Sequence, residues 1–429
     1  MKRIILPLLA LISIVVEAAN WEPTMVVSTG IETGDATLVC DDFGNAAIIW
    51  RETDGNIYSS YRPVNGVWET PTNFGPGNNS PHICVDEGGN LTAIWITDFS
   101  RDVVSAYRPF GGSWQPIVVI DGFGEARTSP RVSCVGNSTY SMATWLEVGF
   151  PEPILEGAFR TGLVWSVVDE ITDNTFFSAN SFIPVPKILP NGTARIVANL
   201  EDISTGITDI YVITRSLGGT YSAPMPLGFT GGPFGTDPSL FDFELNSLDQ
   251  GVVGVLAGNG SIGGTILNGG TWSPAGIITS TMSTAVEVAI DEQSRARAIW
   301  STAAGTIEVG TTPLTPISWS IETLSTGGGN TIPRIDASSN GAVVASWISG
   351  ASEVLAKVGF NGTFEPTPTN LGSSTSNQDV CVSNGGITYA TWINSGTGFV
   401  DASRTIDVSG NILRLLGKKR LIYQKGLYP

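Results

Sequence analysis

The sequence predicts an all-β fold, a β-propeller of eight four-stranded blades, on three observations. Fifty-one glycines and 25 prolines among 429 residues, with frequent Thr, Ser and Asn, suit strands and turns better than helices. A turn leading into an alternating strand that ends in Trp recurs along most of the chain. A second aromatic series is interleaved with the first at nearly the same period. Four short strands repeated every ~40–50 residues are the signature of a propeller blade.

The second strand of each unit, strand b, is the clearest. Asp41-Asp42-Phe43-Gly44-Asn45-Ala46-Ala47-Ile48-Ile49-Trp50 and Asp86-Glu87-Gly88-Gly89-Asn90-Leu91-Thr92-Ala93-Ile94-Trp95 open with turn formers and continue as alternating strands. The Trp position recurs at Trp145, Trp300, Trp347 and Trp392. Counting six residues past Gly192 and Gly251 places it at Ala198 and Ala257. The outer strand d is marked by Trp21, Trp68, Trp114, Trp165, Tyr221, Trp272, Trp319 and Phe364; these aromatics are expected to lock blade to blade. Strand c lies between the two series, as at 58–62 and 103–108, and strand a precedes strand b, as at 82–85 and 334–336. Eight markers of each kind give eight blades, with seven the alternative if blades 4 and 5, the most degenerate, are miscounted. Trp21 precedes every strand-b marker, and Trp392 has no aromatic d partner after it. The N-terminal strand is therefore expected to complete the last blade, which removes the free edges of an open array.

The two ends depart from the repeat. Lys2 and Arg3, the apolar stretch from Ile4 to Val16, and Val16-Glu17-Ala18 have the order of a secretory signal with its cleavage site. The expected organisation is a signal peptide over 1–18, the propeller over 19–406 and a basic tail over 407–429. No other run approaches the ~18 apolar residues of a membrane-spanning helix, so an exported monomer is expected. Lys plus Arg number 22 against 39 Asp plus Glu, a net charge of −17, which argues against nucleic acid as a partner. A single histidine, His82, argues against His-rich zinc sites and Ser–His–Asp catalysis.

With Gly44-Asn45-Ala46-Ala47-Ile48-Ile49-Trp50 and Gly66-Val67-Trp68-Glu69-Thr70-Pro71, the chain resembles secreted bacterial β-propellers with sialidase-like repeats over residues 20–405. The resemblance implies the fold; shared fold does not imply shared chemistry. The sialidase Asp box, Ser-x-Asp-x-Gly-x-x-Trp in outline, is not reproduced, and Asp86-Glu87-Gly88-Gly89 leads into Trp95 at a different spacing. Sialidases hold the substrate carboxylate with an arginine triad, whereas Arg62, Arg108, Arg160 and Arg215 recur at one strand-c position in successive blades. That repetition reads as a lattice feature, each guanidinium covering an aromatic ring or pairing with an acid.

The count from strand d to the next strand b is 27 to 29 residues in most units but 31, 33 and 36 before Trp145, Ala198 and Ala257. In an up-and-down sheet, b–c loops and d–a crossovers share one face of the disc. The insertions therefore gather on the long-loop face of blades 3–5, and loops held by a rigid scaffold are where binding residues concentrate. The acids there, Glu147, Glu152, Asp169, Asp202, Asp209, Asp237 and Asp242, with Glu156 and Glu244, form the candidate ligand-binding set. Convergent oxygens would suit Ca²⁺, but no EF-hand or RTX spacing is present. Solvated charge that keeps an apolar exported chain soluble accounts for them as well.

At Ala198 and Ala257 a pocket opens or other side chains fill the space, and close packing favours the second. Cys84, Cys134 and Cys381 lie eleven residues before their strand-b markers and Cys40 ten before, so Cys40 faces the other way, toward Cys84 or Cys381. Inner strands near or beyond the ~7 Å bridging limit make buried free thiols the expectation. Residues 411–429 hold Arg414, Lys418, Lys419, Arg420 and Lys425 with no acid, and docking on the acidic body is expected. The function these observations support is a scaffold that binds a protein or glycan ligand on the long-loop face of blades 3–5, without cofactor or catalytic residues. A propeller glycan hydrolase using loop carboxylates and a purely structural surface protein are the alternatives.

Overall fold

The computed structural model describes residues 19–405 apart from 34–35, 79, 123–126, 137–138, 149–152, 173–176, 180–182, 236–237 and 375. The expected signal peptide and basic tail lie outside the described residues, as do Glu152 and Asp237. Eight antiparallel sheets, each built around four strands in sequential order, stand side by side in a closed ring. The eight inner strands face the ring axis. Blade 1 is Thr37–Cys40, Ala46–Arg51, Asn56–Arg62 and Thr72–Pro76. Blade 8 takes Gln378–Val382, Thr388–Ile393 and Val400–Arg404 from the end of the chain and Met25–Val26 from its beginning. Met25 lies opposite Ala402, and Trp21 bridges Thr405. The eight-blade count and the N-terminal seam are as the aromatic series predict.

The a–b turns show why their sequence recurs. Asp41 accepts hydrogen bonds from the backbone of Phe43 and Asn45, and Gly44 supplies the left-handed residue at φ 86°. Asn45 then accepts from Val64 N, tying the a–b turn to the c–d turn of the same blade. Asp86, Asn90 and Phe110 repeat the arrangement in blade 2.

Eight apolar clusters fill the eight gaps between blades. Each gap receives the strand-b marker and the strand-d aromatic of the same blade: Trp50 with Trp68 between blades 8 and 1, Trp95 with Trp114 between blades 1 and 2. Trp50, Trp95, Trp145, Trp300, Trp347 and Trp392 are fully buried, and aromatics of this size dominate core energetics. Indole N–H groups of Trp50, Trp145 and Trp300 donate to Glu52, Glu156 and Glu308. The two series are therefore core, and the arginine ladder runs alongside them. Arg108 lies 4.1 Å from the ring of Tyr61, Arg160 lies 5.3 Å from Tyr107, and Arg215 lies 4.5 Å from Phe159. Each arginine thus covers an aromatic of the preceding blade, and Arg108 also pairs with Glu69.

One register differs from the sequence count. In blade 5, Asn246 N bonds Gln250 O and Asp249 N bonds Asn246 O, reproducing the turn that Asp41 and Gly44 make. Asp249, at φ 57°, takes the left-handed place, so the Trp-equivalent position is Val255 and not Ala257. Counting from Gly251 fails because an acid, not a glycine, supplies the turn. At both positions other side chains fill the space. Ala198 packs among Leu155, Leu200 and Tyr211, and Val255 lies against Phe229 and Phe234 from the long d–a crossover. A Cβ on Gly263 would meet Phe234 at 2.6 Å, so part of that insertion is spent on core packing.

Candidate functional site

The inner strands enclose an axial channel of about 550 Å³ lined by all eight blades. Side chains four and two residues before each a–b turn, five and three in blade 3, reach its wall. Thr37, His82, Arg131, Asp242, Glu287, Arg334 and Asp379 occupy the first register, and Cys84, Ser133, Lys187, Glu244, Asp336 and Cys381 the second.

These groups form a belt that ties each inner strand to the next. The outward backbone N–H groups of an inner strand have no fifth strand to pair with, and a buried N–H left unpaired is costly. Asp379 accepts from Leu38 N at 2.8 Å, Asp242 from Val288 N at 2.9 Å, Glu287 from Ile335 N at 3.2 Å and Asp336 from Val382 N at 2.7 Å. His82 Nδ1 accepts from Val132 N at 3.4 Å, and Ser133 Oγ from Ile188 N at 3.3 Å. Thr37 donates to Pro81 O. Lys187 Nζ lies 2.6 Å from Glu244 Oε1, completing the step from blade 4 to blade 5. Arg334 pairs with Glu287 behind it and donates to Gln378 O ahead.

Burial in the channel pushes Glu287 up to about 8, although Arg334 pulls it down. Burial likewise raises Glu244 to about 7 against the pull of Lys187, and Asp379 to about 6 against Arg334. His82 is held well below its ordinary value by burial, then by Arg131 and Lys187, and stays a neutral acceptor. Raised carboxyl pKa values suit general acids. Here, however, Glu287 and Asp379 spend both oxygens on Arg334, Ile335 N, Val380 N and Leu38 N. The channel's chemistry is blade closure.

Both cysteine pairs are disulfides, which overturns the expectation of free thiols. Cys40–Cys381 closes the seam between blades 1 and 8, and Cys84–Cys134 joins blades 2 and 3, with Cα separations of 5.8 and 5.9 Å. Inner strands converge toward the axis, well inside the bridging limit. Cys134 does not share the facing of Cys84 that the residue count implies: it lies opposite Ser141 where Cys84 lies opposite Thr92, because the a–b turn of blade 3 is one residue shorter. The two sulfurs meet in the gap between blades 2 and 3.

The predicted acids scatter. Asp242 and Glu244 lie within the inner strand Leu240–Leu245 on the channel wall, not on a loop, because the d–a crossover ends earlier than the residue count implies. Asp209 is buried in strand c, where it accepts from Ile210, Gly228 and Phe229 N and holds the start of the crossover. Burial raises its pKa despite those bonds. Glu156 is buried beside Trp145 and Arg127. Asp169 belongs to an outer-strand segment, Asp169–Glu170. Glu147 and Asp202 end strands b of blades 3 and 4 at the b–c loops, and Asp202 is bonded by Ser204. Among the described residues no group of three or more His, Cys, Asp and Glu gathers to hold a metal ion.

The b–c loops of blades 2, 3 and 4 carry the apolar exposure that an acid-based reading missed. Phe99 is 89% exposed, and Val148, Ile203 and Ile207 stand open on the neighbouring loops. Large exposed apolar residues on adjacent loops are the signal that would have located them.

No protein-family model and no curated protein sequence matches the chain. Among solved structures it is similar to the BP39L lectin from Burkholderia pseudomallei, with 12% identity over 80% of this chain and 99% of that one and a TM-score of 0.56. It is also similar to the WD40 domain of SCAP from fission yeast, with 8% identity over 91% and 98% of the two chains and a TM-score of 0.53. At these identities the likeness is one of fold, and it establishes the β-propeller. No helix among the described residues is long and apolar enough to cross a membrane.

Proposed function

We propose that this chain is an exported, non-catalytic propeller that binds a glycan or protein ligand on the long-loop face of blades 3–5, extending onto blade 2. The observation that carries the proposal is the row of exposed apolar side chains on consecutive b–c loops, Phe99, Val148, Ile203 and Ile207, with Asp98, Glu147 and Asp202 beside them. An apolar anchor flanked by polar groups is the usual anatomy of a recognition patch. The lectin likeness makes carbohydrate the first ligand class to try. Two disulfides fit an oxidising compartment, as does the expected signal peptide, and the sialidase-like character of the repeats favours an exported bacterial protein. The binding reading is preferred over the hydrolase because the carboxylates with raised pKa on the channel wall serve backbone amides and ion pairs.

A glycan array probed with the purified protein, in parallel with fluorogenic glycosides, tests this. The expected result is retained ligand without turnover, weakened at least tenfold by Phe99→Ala. Turnover that disappears on replacing a single loop acid would overturn the proposal.

A further inference from the structure

The opposite face of the disc, formed by the a–b and c–d turns, has its own chemistry. Asp42, Glu87 and Glu292 occupy the second position of the a–b turns in blades 1, 2 and 6; Asp42 and Glu87 line the channel mouth, and Glu292 accepts from Ser247, which lines it too. Among the described residues none of the three has an ion-pair partner; they accept instead from Asn384, Gly136 N and Ser247. The Asp42 carboxyl is raised by burial and then by Glu87, Asp41 and Glu292, so these charges feel one another. Beside them Phe43 and Phe110, 58% and 54% exposed, pack with ring centroids 5.9 Å apart. The face therefore offers uncompensated negative charge next to an exposed aromatic pair.

The described chain ends on this same face. Thr405 N donates to Thr388 O at the start of strand b in blade 8, and Arg404 reaches Val64 O in the c–d turn of blade 1. A Cβ on Gly44, the neighbour of Phe43, would touch both Val64 and Ile387. Residues 411–429 hold five basic residues, no acid, and the apolar runs Ile412-Leu413 and Leu421-Ile422-Tyr423. Lys418 lies thirteen residue steps beyond Thr405, a span of up to about 45 Å. Because the segment is tethered beside the acids, its local concentration exceeds that of any partner in solution.

We propose that the acidic mouth and the Phe43–Phe110 pair are the docking surface for this chain's own basic segment, residues 411–429. The charges are complementary, and the apolar runs match the aromatic pair. This proposal is independent of the long-loop reading, which concerns the other face.

Zero-length carbodiimide cross-linking of the full-length protein, made as a mixture of heavy- and light-isotope chains, tests the proposal. Lys418 and Lys419 are expected to cross-link chiefly to Asp42, Glu87 and Glu292 within one chain, at least fivefold less at about 0.5 M salt. In a second measurement, trypsin is expected to cut at Lys418-Lys419 at least fivefold faster in D42N/E87Q/E292Q than in the native chain. Cross-links spread over other carboxylates, cross-links joining heavy to light chains, or equal tryptic rates would each overturn it.

Discussion

Between blades 2 and 3 the channel wall is joined by the Cys84–Cys134 disulfide and by one long hydrogen bond to His82. Between blades 6 and 7 it is joined by Glu287, which accepts from Ile335 N and pairs with Arg334. The same geometric problem, inner strands without partners on their open side, is solved covalently on one arc and electrostatically on the other. From blade 8 through blades 1 to 3 the wall carries both disulfides; from blade 4 to blade 8 it carries Lys187, Glu244, Asp242, Glu287, Asp336 and Asp379, with Arg334 paired to Glu287. The difference teaches that one ring can respond to redox potential on one side and to pH on the other.

The comparison breaks most visibly at the seam. The Cys40–Cys381 disulfide spans 341 residues and Cys84–Cys134 spans 50. By loop-closure entropy, Cys40→Ser is expected to lower unfolding free energy by about 5 kcal/mol and Cys84→Ser by about 4 kcal/mol. Denaturant titration with and without reductant measures both, and equal midpoints in the two conditions would show that the staples carry no stability.

On the electrostatic arc, Glu287→Ala strands Arg334 and leaves Ile335 N unpaired. The side chains of Glu287 and Arg334 keep 22% and 33% of their surface open to the channel, so about 2 kcal/mol is expected, below the cost for a fully enclosed pair. His82→Ala removes only a long, neutral bond and is expected to cost less than about 1 kcal/mol. The ratio of the two, from chemical denaturation, sharpens the contrast between the arcs.

The pH response is the smallest effect. Glu287, Glu244 and Asp379 are pushed to about 8, 7 and 6 from ordinary values of 4.5, 4.5 and 3.8. The folded protein keeps protons that the unfolded chain releases. Stability from these groups is complete below the ordinary values and is lost as pH rises through the folded ones. His82, held neutral, acts the other way and loses stability as pH falls below 6.5. Tm is expected to rise by about 2–5 °C from pH 8.5 to pH 6, and Glu287→Gln should flatten the alkaline part of that slope.

The gap-filling parts of this fold were legible because each blade must bury the same surface. Trp50, Trp95 and their equivalents repeat for that reason, and so do Arg108 and Arg160 over the preceding blade's rings. Asp41 and Gly44 announce their turn because the carboxylate holds the turn amides and the glycine takes the left-handed place. Blade 5 misled because Asp249 supplies the left-handed residue, so a glycine-based count slipped by two. The channel belt was hidden for a different reason: Asp242 and Val288, or Asp379 and Leu38, are strangers along the chain and meet only when the ring closes. Aligning the residues four before each turn, Thr37, His82, Asp242, Glu287, Arg334 and Asp379, would have exposed a polar tier. The cysteines misled because their spacing was judged from ordinary blades, whereas strands crowd at the axis. The acidic loop set mixed true loop residues such as Asp202 with structural carboxylates such as Asp209, which composition does not separate.

The seam also imposes an order of events. Met25–Val26 has its hydrogen-bonding partner in Val400–Arg404, and Cys40 has its sulfur partner in Cys381. Met25–Val26, made before the last blade, must wait unpaired until Val400–Arg404 follows. A chain halted anywhere before residue 400 is therefore an arc with two raw flanks rather than a smaller wheel, and quality control that detects such flanks would discard every incomplete copy.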